Sequence, residues 1–201
     1  MTNLRGSLRI VKLENALSVE DAEEVALYDK PYLHKLELQW SYPCLEAVDV
    51  LEGLEPHRNL SLHVGEMDTL KKVDAWFCGG GRTKGFPKLE TLNFDRIPSL
   101  EEWTAVEENA MSCLHRLTIV DCPNLVKLPE ISNLKSLQHF EIILCFKLPS
   151  FSEKRLPASL QTLVITDCPE LSVRCQREGI DWPQISDVPN IWIDYKKISM
   201  Y

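Results

Sequence analysis

The sequence predicts an α/β solenoid: a curved stack of short repeats, with about eight short parallel strands on one side and irregular backs on the other. Two observations predict it. The first is a period. Cys122, Cys145 and Cys168 stand 23 residues apart, and the apolar residues around them keep the interval. Leu114, Leu137 and Leu160 are in register, as are Leu117, Phe140 and Leu163, then Ile119, Ile142 and Ile165, then Leu125, Leu148 and Leu171. The second is the spacing inside each unit. Its second and third apolar residues lie two apart, which is strand spacing with both side chains inward. One such unit cannot bury its own apolar face, so neighbours must stack on it.

The shared template, L-x-x-L-x-I-x-x-C-x-x-L, matches the leucine-rich repeat pattern with cysteine in its Asn/Cys position. The expected architecture is therefore a curved horseshoe. Leu8, Ile10 and Leu13 begin the series of strands. Residues 18–28 read as a helix, with Ser18 as N-cap and Ala22, Val25 and Ala26 as its apolar stripe. Leu33, Leu36, Leu38 and Trp40 form the next strand. Residues 46–55 read as a second short helix, ended near Pro56, and His57, Leu60 and Leu62 as a weaker strand. Gly79–Gly81 and the polar residues after them read as a loop. Leu89, Leu92, Phe94, Ile97 and Leu100 make a unit with Ile97 in the cysteine slot. After the regular block, Val188, Ile191 and Ile193 repeat the strand pattern behind a longer insert. Residues 1–201 are thus read as a single domain: irregular repeats over 1–110, regular repeats over 114–171 and a C-terminal cap over 172–201. Pro123 and Pro169 directly follow cysteines and cannot continue a ladder. The Leu128-Pro129 and Leu148-Pro149 steps imply extended or short 3₁₀ backs rather than long helices.

Composition narrows the class. Of 201 residues, 44% are hydrophobic, enough for a continuous core. No apolar run is long enough to span a bilayer, and the start of the chain is no secretory signal. The seven cysteines are an odd number, and three of them take inward positions. They read as core thiols in a reducing compartment rather than a disulfide framework. The expected location is cytoplasmic, with the nucleus as the variant. A formal charge of −8 argues against nonspecific nucleic-acid binding, which needs a basic face.

Several segments carry a more specific resemblance. They are the opening from Leu4 to Asn15 followed by Asp21-Ala22; Trp40; Leu51-Glu-Gly-Leu-Glu-Pro-His57; and Phe86-Pro-Lys-Leu-Glu-Thr-Leu92 with Leu100-Glu-Glu-Trp103. Asp181-Trp-Pro-Gln-Ile185 and Val188-Pro-Asn-Ile191 add the C-terminal end. Together they make the chain similar to the leucine-rich repeat region of plant nucleotide-binding leucine-rich-repeat disease resistance proteins, the coiled-coil class in particular. The resemblance implies a protein-recognition module of intracellular plant immunity. Such receptors carry a nucleotide-binding domain before the repeats. This sequence has no G-x-x-x-x-G-K-[ST] loop, so no bound nucleotide is expected. The passage from His63 to Gly65-Glu-Met-Asp-Thr-Leu-Lys-Lys-Val73 reads as an internal deletion of a few repeats near residue 64. The chain therefore reads as a trimmed receptor fragment or a repeat-only paralogue.

Catalytic and metal readings find little support. None of the five histidines pairs with a cysteine at zinc-ligand spacing. The cysteine ladder reads as a buried spine rather than a redox or metal site. No nucleophile motif is present, so no enzyme activity, metal or cofactor is expected. Of the five tryptophans, Trp192 alternates with inward Ile191 and Ile193 and should face outward. Trp103 and Trp182 read as packing residues. The outward side chains of the regular strands are Arg116, Thr118 and Val120; His139, Glu141 and Ile143; Thr162, Val164 and Thr166. This face, an apolar centre of Val120, Ile143 and Val164 rimmed by Arg, His and Glu, is the expected contact surface for a protein partner. That partner is a pathogen effector or a plant signalling protein, with no nucleic acid and no membrane. The alternatives are a substrate-recruiting repeat domain of a ubiquitin ligase and a non-functional receptor fragment.

Overall fold

In a computed structural model, the described residues are 5–12, 32–39, 60–65, 67–68, 70–73, 89–104, 106, 111–151 and 154–198. The helices expected at 18–28 and 46–55, the loop at 79–81, Leu13, Trp40 and Trp76 lie outside them. The strands are β1 (Arg5–Val11), β2 (Tyr32–Gln39), β3 (Leu60–Gly65), β4 (Lys72–Val73), β5 (Leu89–Asp95) and β6 (Glu102–Trp103). They continue with β7 (Arg116–Val120), β8 (His139–Ile143), β9 (Thr162–Thr166), β10 (Asn190–Ile193) and β11 (Lys196–Ile198). A nine-stranded sheet runs in the order β1-β2-β3-β5-β7-β8-β9-β10-β11. Its neighbours pair in parallel from β1 to β10, as the solenoid requires. The last strand, β11, turns back antiparallel on β10, a hairpin the repeat pattern does not announce.

The period fixes the core. From Leu114 through Cys122 to Leu171, every template side chain of the three regular units is at most 1% exposed. The upstream unit behaves alike: Leu89, Leu92, Phe94, Ile97 and Leu100 are all buried, and Ile97 fills the cysteine slot. At the far end Val188, Ile191 and Ile193 are buried. Each such side chain contributes roughly 1.5–3 kcal/mol by leaving water. Leu8 and Ile10 are only partly buried, because among the described strands β1 packs on β2 alone.

One strand sits differently from its expectation. In β3 the buried inward residues are Leu62 and Val64, one strand step later than the Leu60 and Leu62 of the expected unit. Leu62 pairs with Leu36 on one side and Leu92 on the other, while Val64 pairs with Leu38 and Phe94. Strict alternation from Leu60 to Val64 allows either register on the same face, and the neighbours choose the later one. The register slips between Leu60 and Ser61 to achieve this. Beyond the junction near residue 64 the core continues through buried Met67, Leu70 and Val73.

The strands of the regular block, and β5 before them, end the same way. Arg96, Asp121, Leu144 and Asp167, each just before the cysteine slot, have φ of 54°, 52°, 56° and 54°. This left-handed turn aims the amides of Arg96, Asp121 and Leu144 at the carbonyls of Val120, Ile143 and Thr166 on the following repeat, 3.0 Å away in each case. Asp tolerates the conformation, whereas a leucine pays about 1–2 kcal/mol for it. On the last turn no repeat follows in kind, and the Asp167 amide donates to Oδ1 of Asp194 at 3.1 Å.

The backs are irregular, as the Leu-Pro steps imply. Among its described residues the regular block has one 3₁₀ turn, Ile131–Asn133. Side chains stitch successive backs: Asn124 Nδ2 donates to Pro98 O at 2.8 Å, Asn133 Nδ2 to Val106 O at 3.0 Å and Ser159 Oγ to Leu137 O at 2.8 Å. Behind the irregular half, β4 and β6 form a small parallel sheet, and Trp103 in β6 packs edge-on against Phe94 with ring centroids 5.1 Å apart. The insert before Val188 holds two short helices, Pro169–Arg174 and Trp182–Ile185. Arg174 grips buried Asp181 with two bonds of 2.8 Å. A Cβ on Gly179 would lie 2.0 Å from the Arg174 carbonyl oxygen, so only glycine lets the chain return this closely.

Candidate functional site on the concave sheet face

Strand alternation sets three outward rows across the sheet. The middle row runs Arg9, Glu37, His63, Asn93, Thr118, Glu141, Val164 and Trp192, each in register with the next. Arg116 pairs with His139 and Thr162 on one flank, Val120 with Ile143 and Thr166 on the other. The expected residues therefore lie side by side. Eight of them are at least partly open to solvent; Thr166 is the exception, buried at 5% exposure. Its carbonyl serves the fold, accepting from the Leu144 amide and the Cys168 thiol. Thr166 is accordingly a packing residue here and not an open contact position.

The rim has directed electrostatics. His139 Nε2 lies 3.6 Å from Glu141 Oε2. Burial, then the Arg116 charge beside it, pushes the imidazole below its ordinary value, and Glu141 only partly offsets this. At neutral pH the ring is thus uncharged. Val120 and Ile143 sit next to each other beside this pair, and Trp192, 39% exposed, extends the open apolar surface beyond Val164. Lys197 of β11 reaches over the Trp192 ring, 6.0 Å from its centroid. Alternation made Trp192 legible as outward; Lys197 depends on the hairpin and had no signal.

The irregular half of the same face is polar. Lys35 Nζ lies 2.5 Å from Glu37 Oε1 and holds this carboxyl below its ordinary value. Asn93 Nδ2 donates to His63 Nδ1 at 2.8 Å, which leaves the ring proton on Nε2, facing Asp95 Oδ2 at 3.9 Å. The ring lies directly over Gly65, where a Cβ would come within 2.8 Å of His63 Nε2. Alternation also points Glu37, His63 and Asn93 outward, but the expected contact surface was confined to the regular strands.

Among the described residues Cys122, Cys145, Cys168 and Cys175 are buried free thiols, and Cys113 is an exposed one. The thiols of Cys122, Cys145 and Cys168 donate to the carbonyls of Val120, Ile143 and Thr166 at 3.6, 3.5 and 3.3 Å. Burial pushes Cys122 and Cys175 up to about 12. Contact with the Cys168 thiol and burial push Cys145 up as well. The same contact lowers Cys168, whereas the protonated thiols of Cys122, Cys145 and Cys175 are poor nucleophiles and poor metal ligands. Among the described residues no group of three His, Cys, Asp or Glu side chains is placed to hold a metal ion, and no helix is long and apolar enough to cross a membrane.

A stacked parallel sheet, a cysteine-slot turn and an open concave face are the parts of a leucine-rich repeat. The family described as R13L1/DRL21 LRRs matches residues 1–108, more than half of the chain. The chain belongs to this family. It is a leucine-rich repeat region of the plant nucleotide-binding disease resistance type. It is similar to three proteins of Arabidopsis thaliana. A putative disease resistance protein is 25% identical over 193 residues, covering 63% of this chain and 14% of the relative. Probable disease resistance RPP8-like protein 4 is 34% identical over 112 residues, covering 54% and 12%. Probable disease resistance protein RF45 is 46% identical over 65 residues, covering 30% and 6%. The chain thus spans only a small part of the length of these relatives.

Proposed function

We propose that this chain is a non-enzymatic protein-recognition module of intracellular plant immunity, which binds a pathogen effector or a signalling partner through its concave sheet face. One observation carries the reading: Val120, Ile143, Val164 and Trp192 lie partly open on a rigid parallel sheet, although the same strands bury every inward side chain completely. An apolar centre with a polar rim of Arg116, His139 and Glu141 suits a protein contact. Rigid strands hold these groups in place before binding, which lowers the ordering cost of association. Family membership and the names of the relatives support the immune setting. A photo-reactive amino acid at Thr118 or Glu141 should crosslink a partner in leaf extract, and one at Lys127 on the back should not. Ile143→Arg should abolish the crosslink with an unchanged circular dichroism spectrum. Equal crosslinking from both faces would remove the concave face as the site.

A further inference from the structure

We infer that the apolar centre of the concave face continues over the lip of the sheet at Leu144 and Phe146, and that this lip seats a basic protein segment carrying an apolar side chain between its cations. The inference rests on the concave face being the recognition surface and names the chemistry of what it recognises.

Three observations place it. Leu144 occupies the left-handed turn position that Asp121 and Asp167 hold on the neighbouring repeats. The fold favours aspartate there, so leucine is the residue that backbone geometry alone would not select. Two residues on, Phe146 is 47% exposed, whereas the equivalent slots of the adjacent repeats carry Pro123 and Pro169. Ile143, which precedes Leu144, is open on the concave face and in register with Val120. Val120, Ile143, Leu144 and Phe146 therefore make one apolar path from the sheet face over its edge.

Charge decides the occupant. Asp121 and Asp167 flank Leu144 on the two neighbouring turns, and Asp194 follows on the next. Asp121 and Asp167 make no ion pair with a described cation, Asp167 meeting only the Tyr195 hydroxyl. Asp194 is engaged by the Asp167 amide and Ser172. The whole chain carries a formal charge of −8. A segment whose apolar side chain packs on Leu144 and Phe146 brings its neighbours within reach of the two flanking carboxylates, and cations there are favoured. Arg96, at the same turn position one repeat back, is paired with Asp95, and exposed Lys147 beside Phe146 offsets one charge; the flanking carboxylates still outnumber it, so an acidic segment is disfavoured.

The test is an NMR titration of the isotopically labelled chain with two blocked hexapeptides, Lys-Arg-Leu-Val-Arg-Lys and its counterpart with Glu at every basic position. The basic peptide should shift the amides of Asp121, Leu144, Phe146 and Asp167, and affinity should fall with added salt. Leu144→Asp should weaken it at least about tenfold, as loss of a central apolar contact does. That variant should also melt higher than wild type, because aspartate suits the turn. Asp121→Asn with Asp167→Asn should weaken binding about threefold or more and flatten its salt dependence. Equal shifts with the acidic peptide, or no lip shifts with either, would overturn the inference. Shifts confined to Thr118, Glu141 and Val164 would overturn the lip while leaving the concave-face reading in place.

Discussion

At the residue scale, the cysteine slot shows how one position is tied to the whole stack. Cys145 is fully buried, and its thiol donates to the Ile143 carbonyl where the chain leaves β8. Cys145→Asp would bury a carboxylate with no cation nearby and should cost about 3 kcal/mol or more. Cys145→Asn keeps a donor for the same carbonyl and should cost clearly less. Urea denaturation of both variants ranks them, and equal losses would contradict the donor role. The thiols also set a pH limit. Cys122 and Cys175 hold their protons up to about 12 when folded, against 9.0 for a free thiol. A raised folded value gives stability that is complete below the unfolded value and is lost as pH rises through the folded one. Above pH 9 the unfolded chain releases protons that the folded chain keeps. Unfolding free energy should then fall by up to about 1.4 kcal/mol per pH unit for each thiol. Chemical denaturation between pH 8 and 11 checks this. A flat profile would mean that the thiols titrate freely in the native state.

At the scale of elements, the regular strands were legible because three copies of one pattern vote together. The weaker units were legible in proportion to their resemblance to it. The unit from Leu89 to Leu100 was placed correctly with a 25-residue offset and isoleucine in the cysteine slot. The β3 strand was placed two residues early, because its alternation fits two registers and only contact with β2 and β5 chooses. The hairpin β10–β11 and the β4–β6 pair were not legible: both depend on where neighbouring turns happen to pass, and neither has a period. The C-terminal cap is the clearest case of long-range logic hidden in a short segment. Its loop closes through the Arg174–Asp181 pair, and Gly179 is the residue that lets it close. Gly179→Ala forces a methyl group against a backbone oxygen, and backbone cannot swing aside as a side chain can. The expected cost is about 2 kcal/mol or more, with a lower melting temperature and faster proteolysis near Gln176–Ile180. A substitution without effect would show that the loop relaxes and that the close approach is not needed.

At the scale of the molecule, a solenoid has no single centre, so stability follows each repeat's neighbours. The outward positions of the regular strands were legible because they follow from inward ones by alternation. What alternation cannot supply is which outward positions are covered, and Thr166 was lost for that reason. The same neighbour logic predicts an uneven native state. Strands β7, β8 and β9 are flanked on both sides by in-register partners and bury their inward residues completely. At one end, β10 is closed by antiparallel β11 and by the Asp194 carboxylate at the last turn. At the other end, among the described strands β1 pairs only with β2, leaves Val11 52% exposed and half-buries Leu8 and Ile10. An open parallel edge of this kind can detach without disturbing the repeats beyond it. Amides of β1 should therefore exchange at least about 100-fold faster than those of β7 to β9, the difference between local opening and global unfolding. Strand β3 is the discriminating case. If the join near residue 64 weakens the stack, β1, β2 and β3 will exchange together as one unit. If the continuous packing of Leu62, Val64, Met67 and Val73 holds the join, β3 will be protected like β5 and only β1 and its pairing with β2 will open. The packing favours the second outcome. Residue-resolved hydrogen exchange in native buffer separates the two, and uniform protection from β1 to β9 would contradict the neighbour logic itself.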